Sequence, residues 1–493
     1  MFAVLAIALG VAIASLAVVD PAPAYDPWAW LLWGREVTEL RLSTPEGPAF
    51  KPLPVAVCAL LAPLGGAAPW LWVLIARTAA VVALLLAFRV GERLSGGSRL
   101  GGLLASVAVL ATGHFAGYAA SGVSEGMLLA LALAGFEASR SGRPRTAIAC
   151  AGACALLRVE TWPLLALAAA FAWQRQPARR PLLAAVMLLV PIAWFLPEWL
   201  GSGDLLRSGE RARIPNPGQP ALADVPALAS LAEGLRLVPW PVWPGMLVLV
   251  ASALRPSRPA PLAGLWRDRN LTSAVQRRIE HPAVAGVLPA PPADIRRAPM
   301  EHPLGPALVG VGWIAIVAAM AQAGFSGEAR YAMPGAALIG ISGAAGIAAA
   351  VRMPPLHGVA GTAGMATLAV VLLLAPRADH LAAIPAAQAH QWRLAQDLER
   401  AVTAAGGRER VLACGTPYVG RLRGPLMAYA LDVEKSRVEP DAPPSAPGVV
   451  FRSPLRAGSG PTPDAPAGFA ASARAGDWLV LRSCSPRALD TIN

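Results

Sequence analysis

A succession of long apolar runs, at 2–19, 70–88, 127–139, 181–197, 304–322 and 358–376 among others, limits this chain to very few folds. Several runs reach the ~20 apolar residues that one crossing of bilayer hydrocarbon needs. Inside hydrocarbon every backbone polar group must find its partner within the chain, which favours helices for segments of this kind. Only 15% of the 493 residues are charged, against roughly 25% in soluble proteins. A mainly α, polytopic transmembrane bundle is the fold predicted.

The charges that remain set an orientation. The formal net charge is +12, and all but two of the 42 basic residues are Arg; the two lysines are Lys51 and Lys435. Arg clusters follow the runs that end near 88, 139, 173, 254 and 350, and all fall on one side if the runs alternate across the membrane. That is the positive-inside pattern. It accounts for the basic total without nucleic acid, which is not expected as a partner. The alternation gives about 11 helices in the inner (plasma) membrane, with a cytoplasmic N-terminus. Residues 1–376 form the membrane domain, with a first outer loop at 20–68 and a Pro- and Arg-rich cytoplasmic loop at 255–303. Ala22-Pro23-Ala24 could pass for a signal-peptide cleavage site. With no Lys or Arg ahead of it, residues 2–19 read better as an uncleaved first helix.

Residues 377–493 are polar enough to form a small extracytoplasmic α/β domain. Helical periodicity runs over 390–404 and ends at Gly406-Gly407. Strand-like runs follow at 410–414, 448–452 and 478–482. Cys414 and Cys484 belong to this region, and an oxidising exterior would let them pair.

Against such apolar surroundings, the polar residues assigned to the outer face are conspicuous. They include Asp26, Glu36, Lys51, Glu125, Arg158, Glu160, Glu328, Arg330 and Tyr331. Ionisable groups at the ends of membrane helices are costly when dry and unpaired, so they gather around cavities or around one another. Carboxylates beside Arg and Lys suit a site that takes a proton from a hydroxyl and neutralises a leaving phosphate. Structural readings stand beside the functional ones. Asp26 could cap a helix starting at Pro27, Lys51 could extend to lipid headgroups, and Glu328 with Arg330 could be a plain ion pair. Trp28, Trp30, Trp33, Trp70 and Trp72 would form an interfacial belt.

Three segments carry a family likeness: Tyr25-Asp26-Pro27 early in the first outer loop, Phe50-Lys51-Pro52-Leu53-Pro54 closing it, and Gly327-Glu328-Ala329-Arg330-Tyr331 opening a late helix. Together they resemble the GT-C superfamily of membrane glycosyltransferases, which includes protein O-mannosyltransferases and the aminoarabinose transferases of lipid A. Leu157-Arg158-Val159-Glu160-Thr161-Trp162-Pro163 resembles a further stretch of that superfamily. The resemblance implies an inverting glycosyltransferase that moves a sugar from a polyprenyl-phosphate donor to a glycan, lipid or protein acceptor of the cell envelope. It implies Asp26 as catalytic base, with Lys51 and Arg330-Tyr331 at the phosphate; beside them Glu125 is expected as a second catalytic residue, and Arg158 and Glu328 as substrate-binding residues that shape the pocket. The paired acids common in that superfamily are absent here, because Pro27 follows Asp26. A second acid would have to be Glu36 or Glu125, and the use of a divalent cation stays open. A transporter or lipid flippase, and a non-catalytic envelope scaffold, are the alternatives from other classes.

Overall fold

Glycine and alanine set how closely the helices of this protein approach. The computed structural model describes residues 2–254, 302–352, 359–439 and 442–484. Its helices are α1 (Phe2–Ser15), α2 (Tyr25–Thr38), α3 (Pro52–Leu61), α4 (Ala68–Leu94), α5 (Arg99–Leu110), α6 (Phe115–Ala120) and α7 (Glu125–Arg140). There follow α8 (Pro144–Leu157), α9 (Trp162–Arg175), α10 (Arg180–Ser202), α11 (Arg207–Ala212), α12 (Pro226–Arg236) and α13 (Val242–Leu254). After the interval 255–301 come α14 (Gly305–Gln322), α15 (Ala329–Val351), α16 (Val359–Leu374), α17 (Ala378–Ala404), α18 (Arg408–Cys414) and α19 (Gly424–Leu431). The helix α15 is the hub, buried along most of its length among α5, α13 and α14. A Cβ added at Gly245 of α13 would lie 2.1 Å from the Gly343 carbonyl of α15. Such backbone approach between apolar helices relies on small side chains.

Each apolar run of the sequence falls on a helix, but the helices differ in reach. Among the described residues, five segments have the length and hydropathy for a crossing: Pro52–Leu94, Pro177–Ser202, Gly305–Gln322, Ala329–Val351 and Ala363–Ala404. Four apolar helices are shorter, among them α5 and α8. A 12-residue helix spans only ~18 Å, so helix length does not by itself give the number of crossings, and the count of about 11 from alternation is neither reproduced nor overturned by it. Most of the cytoplasmic loop assigned to 255–303 lies outside the described residues.

The first outer loop is folded. Its helices α2 and α3 pack on each other and on α4, and Gly34 allows the contact, since a Cβ there would meet the Cys58 backbone at 2.6 Å. Trp28, Trp30, Trp33 and Trp72 are buried in that packing with Phe50 and Val55. The expectation of an interfacial tryptophan belt is therefore wrong for these four. They fill the space between loop helices and bundle, and the Trp30 and Trp72 rings meet edge to face at 5.4 Å.

The C-terminal region is built on strands β1 (Thr416–Tyr418), β2 (Gly448–Pro454), β3 (Pro461–Thr462), β4 (Ala470–Ala475) and β5 (Trp478–Ser483). The order is β1-β2-β5-β4, with β3 pairing on β2. The β1–β2 pair is parallel, whereas β2–β5 and β4–β5 are antiparallel. The central strand β2 buries Val449, Val450 and Phe451, as a strand covered on both faces must. The run 410–414, read as a strand, is instead the end of α18. Val411 and Cys414 are both buried, three residues apart on one helical face, and so short an apolar run does not reveal its period. Cys414 and Cys484 are joined by a disulfide with their Cα atoms 4.7 Å apart.

Two devices seat this region on the membrane domain. The helix α17 follows α16 almost without a break and carries Leu394 and Leu398 into the core of the sheet. Leu32 of α2 belongs to the same core. Around it, Arg35 and Arg41 of the first outer loop pair with Asp432 at 3.2 and 2.9 Å.

Candidate active site

The charged side chains of the site all come from helix ends. Asp26 is the second residue of α2 and Arg330 the second of α15, while Glu125 opens α7. Lys51 directly precedes Pro52, the first residue of α3, and Arg158 follows α8. Proline disfavours the helical region for the residue before it, and Lys51 is accordingly extended (φ −128°, ψ 109°). Gly327, at φ +64°, turns the chain into α15 where a Cβ would lie 2.7 Å from that of Ala321. Glu328 and Arg330, which follow this turn, both belong to the site.

Asp26 stands at the centre. Its Oδ2 accepts from Arg330 Nη1 at 3.1 Å and from Lys51 Nζ at 3.5 Å. Arg330 Nε donates to Glu328 Oε2 at 3.0 Å. Arg158 donates to Glu125 in a close buried pair and lies 3.9 Å from Glu160. The Tyr331 ring joins the two halves, with Arg158 Cζ 4.3 Å and Arg330 Cζ 5.3 Å from its centroid. Lys51 Nζ sits 4.9 Å from the Trp30 ring centroid. Asp26, Lys51, Glu125, Arg158, Glu328, Arg330 and Tyr331, far apart in sequence, thus meet in one network.

The structure also decides among the local alternatives. Asp26 caps no helix: α2 begins at Tyr25, its N-cap position is Ala24, and no side chain caps it. Lys51 is 6% exposed and paired with Asp26, so it does not extend to headgroups. Glu36 lies ten residues beyond Asp26, ~15 Å along α2, and accepts from the Ser43 amide instead. Burial pushes Glu36 up to about 7, despite that bond and the charge of Arg41. Of the two candidates for a second acid, only Glu125 belongs to the network.

Electrostatics bind the cluster together. Burial raises Asp26, but Arg330, Lys51 and Arg158 outweigh it and hold the carboxyl down to about 2. Burial and the charge of Arg158 pull Lys51 down to about 8, against the pull of Asp26 and Glu125. Four carboxylates face three cations here, and most are already engaged. Among the described residues, no group of three or more His, Cys, Asp or Glu side chains is placed to hold a metal ion.

Two cavities meet at this network. One, of about 250 Å³, is largely apolar, walled by Leu157, Trp162, Trp194, Phe195 and Val317, with Lys51, Arg158 and Glu160 also on its wall. The other, of about 360 Å³, is the more polar of the two, with about as much polar as apolar wall, and holds Asp26, Glu328 and Arg330. Ala49, Ala212, Ser326 and Tyr331 border both. Arg421 and Leu422 of the C-terminal region close part of the polar cavity, joined there by Tyr118 and Arg211. Sequence patterns did not single out Arg421 or Tyr118. Glu160 lies within the Leu157–Pro163 motif, which by itself assigns it no role.

This geometry can be set beside known proteins. No protein family and no curated protein matches the sequence. The crystal structure of ArnT from Cupriavidus metallidurans bound to undecaprenyl phosphate aligns with 98% of this chain and 98% of its own, at a TM-score of 0.52 and 13% identity. The chain has the fold of ArnT. The apo state of that protein aligns with a TM-score of 0.38 and 14% identity, over 98% of this chain and 97% of its own. The likeness runs from end to end, so the C-terminal region is part of the shared architecture.

Proposed function

We propose that the protein is an inverting glycosyltransferase of the inner membrane that takes a sugar from a polyprenyl-phosphate carrier on the extracytoplasmic face. The observation that carries this reading is Asp26 held between Lys51 and Arg330 where an apolar cavity meets a polar one. The ArnT fold, seen elsewhere with undecaprenyl phosphate, agrees with it. In this orientation the N-terminus is cytoplasmic and the C-terminal domain, with its Cys414–Cys484 disulfide, lies outside.

The carrier enters through the apolar cavity, and its phosphate lies against Lys51, Arg158 and Arg330. The acceptor enters through the polar cavity and presents a hydroxyl to Asp26. The acceptor oxygen bonds to the anomeric carbon, the bond from that carbon to the phosphate oxygen breaks, and the carrier phosphate leaves with the electron pair. Asp26 takes the hydroxyl proton. A carboxylate held near 2 is a weak base, and its two cations are the reason. When they turn to the donor phosphate, Asp26 is released from them and its basicity rises, so proton abstraction is tied to donor binding. Glu125 keeps Arg158 in place, and Glu328 does the same for Arg330.

The test is equilibrium binding of undecaprenyl phosphate to the purified chain in detergent. Wild type should bind it, and Lys51→Ala should weaken that binding about tenfold or more, as loss of a charge-assisted contact does. A wild-type protein that ignores the lipid, or a Lys51→Ala variant that binds it equally well, would refute the donor assignment.

A further inference from the structure

Glu160 is a buried carboxylate whose charge has no adequate partner. It lies in a single 3-10 turn, Val159–Thr161, between α8 and α9, and is 4% exposed. Arg158, its nearest cation, is 3.9 Å away and already committed to Glu125. Glu160 Oε2 is buried without any hydrogen-bond partner. Leaving a charged acceptor dry and unsatisfied costs more than one hydrogen bond returns. Orphaned buried groups of this kind often serve a ligand.

The surroundings indicate which ligand. Glu160 is on the wall of the apolar cavity, together with Lys51, Arg158 and the indole of Trp162. An anionic group placed at Glu160 itself, rather than at Lys51 and Arg158, would be repelled by the carboxylate. A group that donates hydrogen bonds would complete it. A sugar ring offers hydroxyl donors at its edge and C–H groups on its face, which suit a carboxylate beside an aromatic ring. We infer that Glu160 recognises the sugar of the donor, accepting hydrogen bonds from its hydroxyls, with Trp162 against the ring.

This rests on the donor reading above and adds a consequence. The donor is a phosphodiester with one negative charge, and the spent carrier is a monoester with up to two. Glu160 attracts the first through the sugar and repels the second through charge, so it favours the loaded carrier over the empty one.

The experiment measures equilibrium affinities of the purified full chain for undecaprenyl phosphate and for the same lipid phosphate carrying mannose, glucose, galactose or arabinose. Wild type should bind at least one loaded carrier more tightly than the empty one. Glu160→Gln should weaken that loaded carrier about tenfold or more, while the empty carrier binds as before or more tightly. Glu160→Asp keeps the charge but falls one methylene short, and should lose the same discrimination if the glutamine variant does not fold. Equal weakening of loaded and empty carrier, no weakening at all, or a wild type that gains nothing from any sugar would overturn the inference. Those outcomes leave the carrier-binding reading intact, whereas a wild type that binds neither lipid removes both.

Discussion

Replacing Asp26 by Asn separates proton transfer from the binding of charge. The carboxylate is 6% exposed and meets Arg330 at 3.1 Å and Lys51 at 3.5 Å. Arg330 keeps Glu328 at 3.0 Å after the substitution, and the Asn carbonyl can still accept one hydrogen bond. Breaking a buried pair by removing one partner costs ~3–5 kcal/mol. The retained contacts place this variant at the low end, about 3 kcal/mol. A positioned base contributes ~10²–10⁴ in rate, or roughly 3–5 kcal/mol of barrier. Initial rates of transfer from a labelled polyprenyl-phosphate sugar should therefore fall at least a hundredfold. Affinity for undecaprenyl phosphate should hold or improve, because one negative charge beside the phosphate has gone. That split marks a base. A carboxylate that only positioned the two cations would lose donor affinity and little turnover. If Asp26→Asn turns over within threefold of wild type, the base assignment is wrong and Glu125 becomes the carboxylate to test.

Five further outcomes follow. Lys51 titrates near 8 in the folded protein, so kcat/KM should fall as pH rises through about 8, and a flat profile to pH 9.5 would exclude a charged Lys51 from donor binding. Stability should move the other way. Unfolded Lys keeps its proton to ~10.4, so the unfolded state binds more protons between 8 and that value and this group makes folding more favourable as pH rises; melting against pH checks it. The folded Asp26 stays ionised down to about 2, so the stability it supplies is present above ~4 and is lost as pH falls towards 2; acid unfolding of Asp26→Asn beside wild type checks that. The Cys414–Cys484 bridge closes a separation of 70 residues, worth up to about 4 kcal/mol by loop entropy. Cys414→Ser should lower the unfolding midpoint of the C-terminal domain in urea, with an unchanged midpoint counting against it. A tag after Asn493 should be labelled from outside intact cells and one near Arg269 should not; the reverse pattern would invert the proposed orientation.

Membrane class, helix positions and the residues worth testing were legible because each rests on a local signal. Apolar runs mark helices wherever a segment must satisfy its own backbone. Asp26, Lys51 and Arg330 were conspicuous because ionisable groups are rare in such surroundings. Proline shaped Lys51 through its immediate neighbour, again a local effect. Other features depend on what a segment meets across the fold. Whether tryptophans face lipid or fill a core depends on α3 and α4 lying over α2, and the sequence of α2 reads alike in both cases. The run 410–414 is too short to show its period and became helical where Val411 and Cys414 meet the sheet. Arg421 reaches the polar cavity only because α17 and Leu32 seat the C-terminal region there. Glu160 gave no more signal than the other acids of the outer face. Its missing partner became visible once packing had brought Arg158 to Glu125, since the choice among neighbours is made in space and not along the chain.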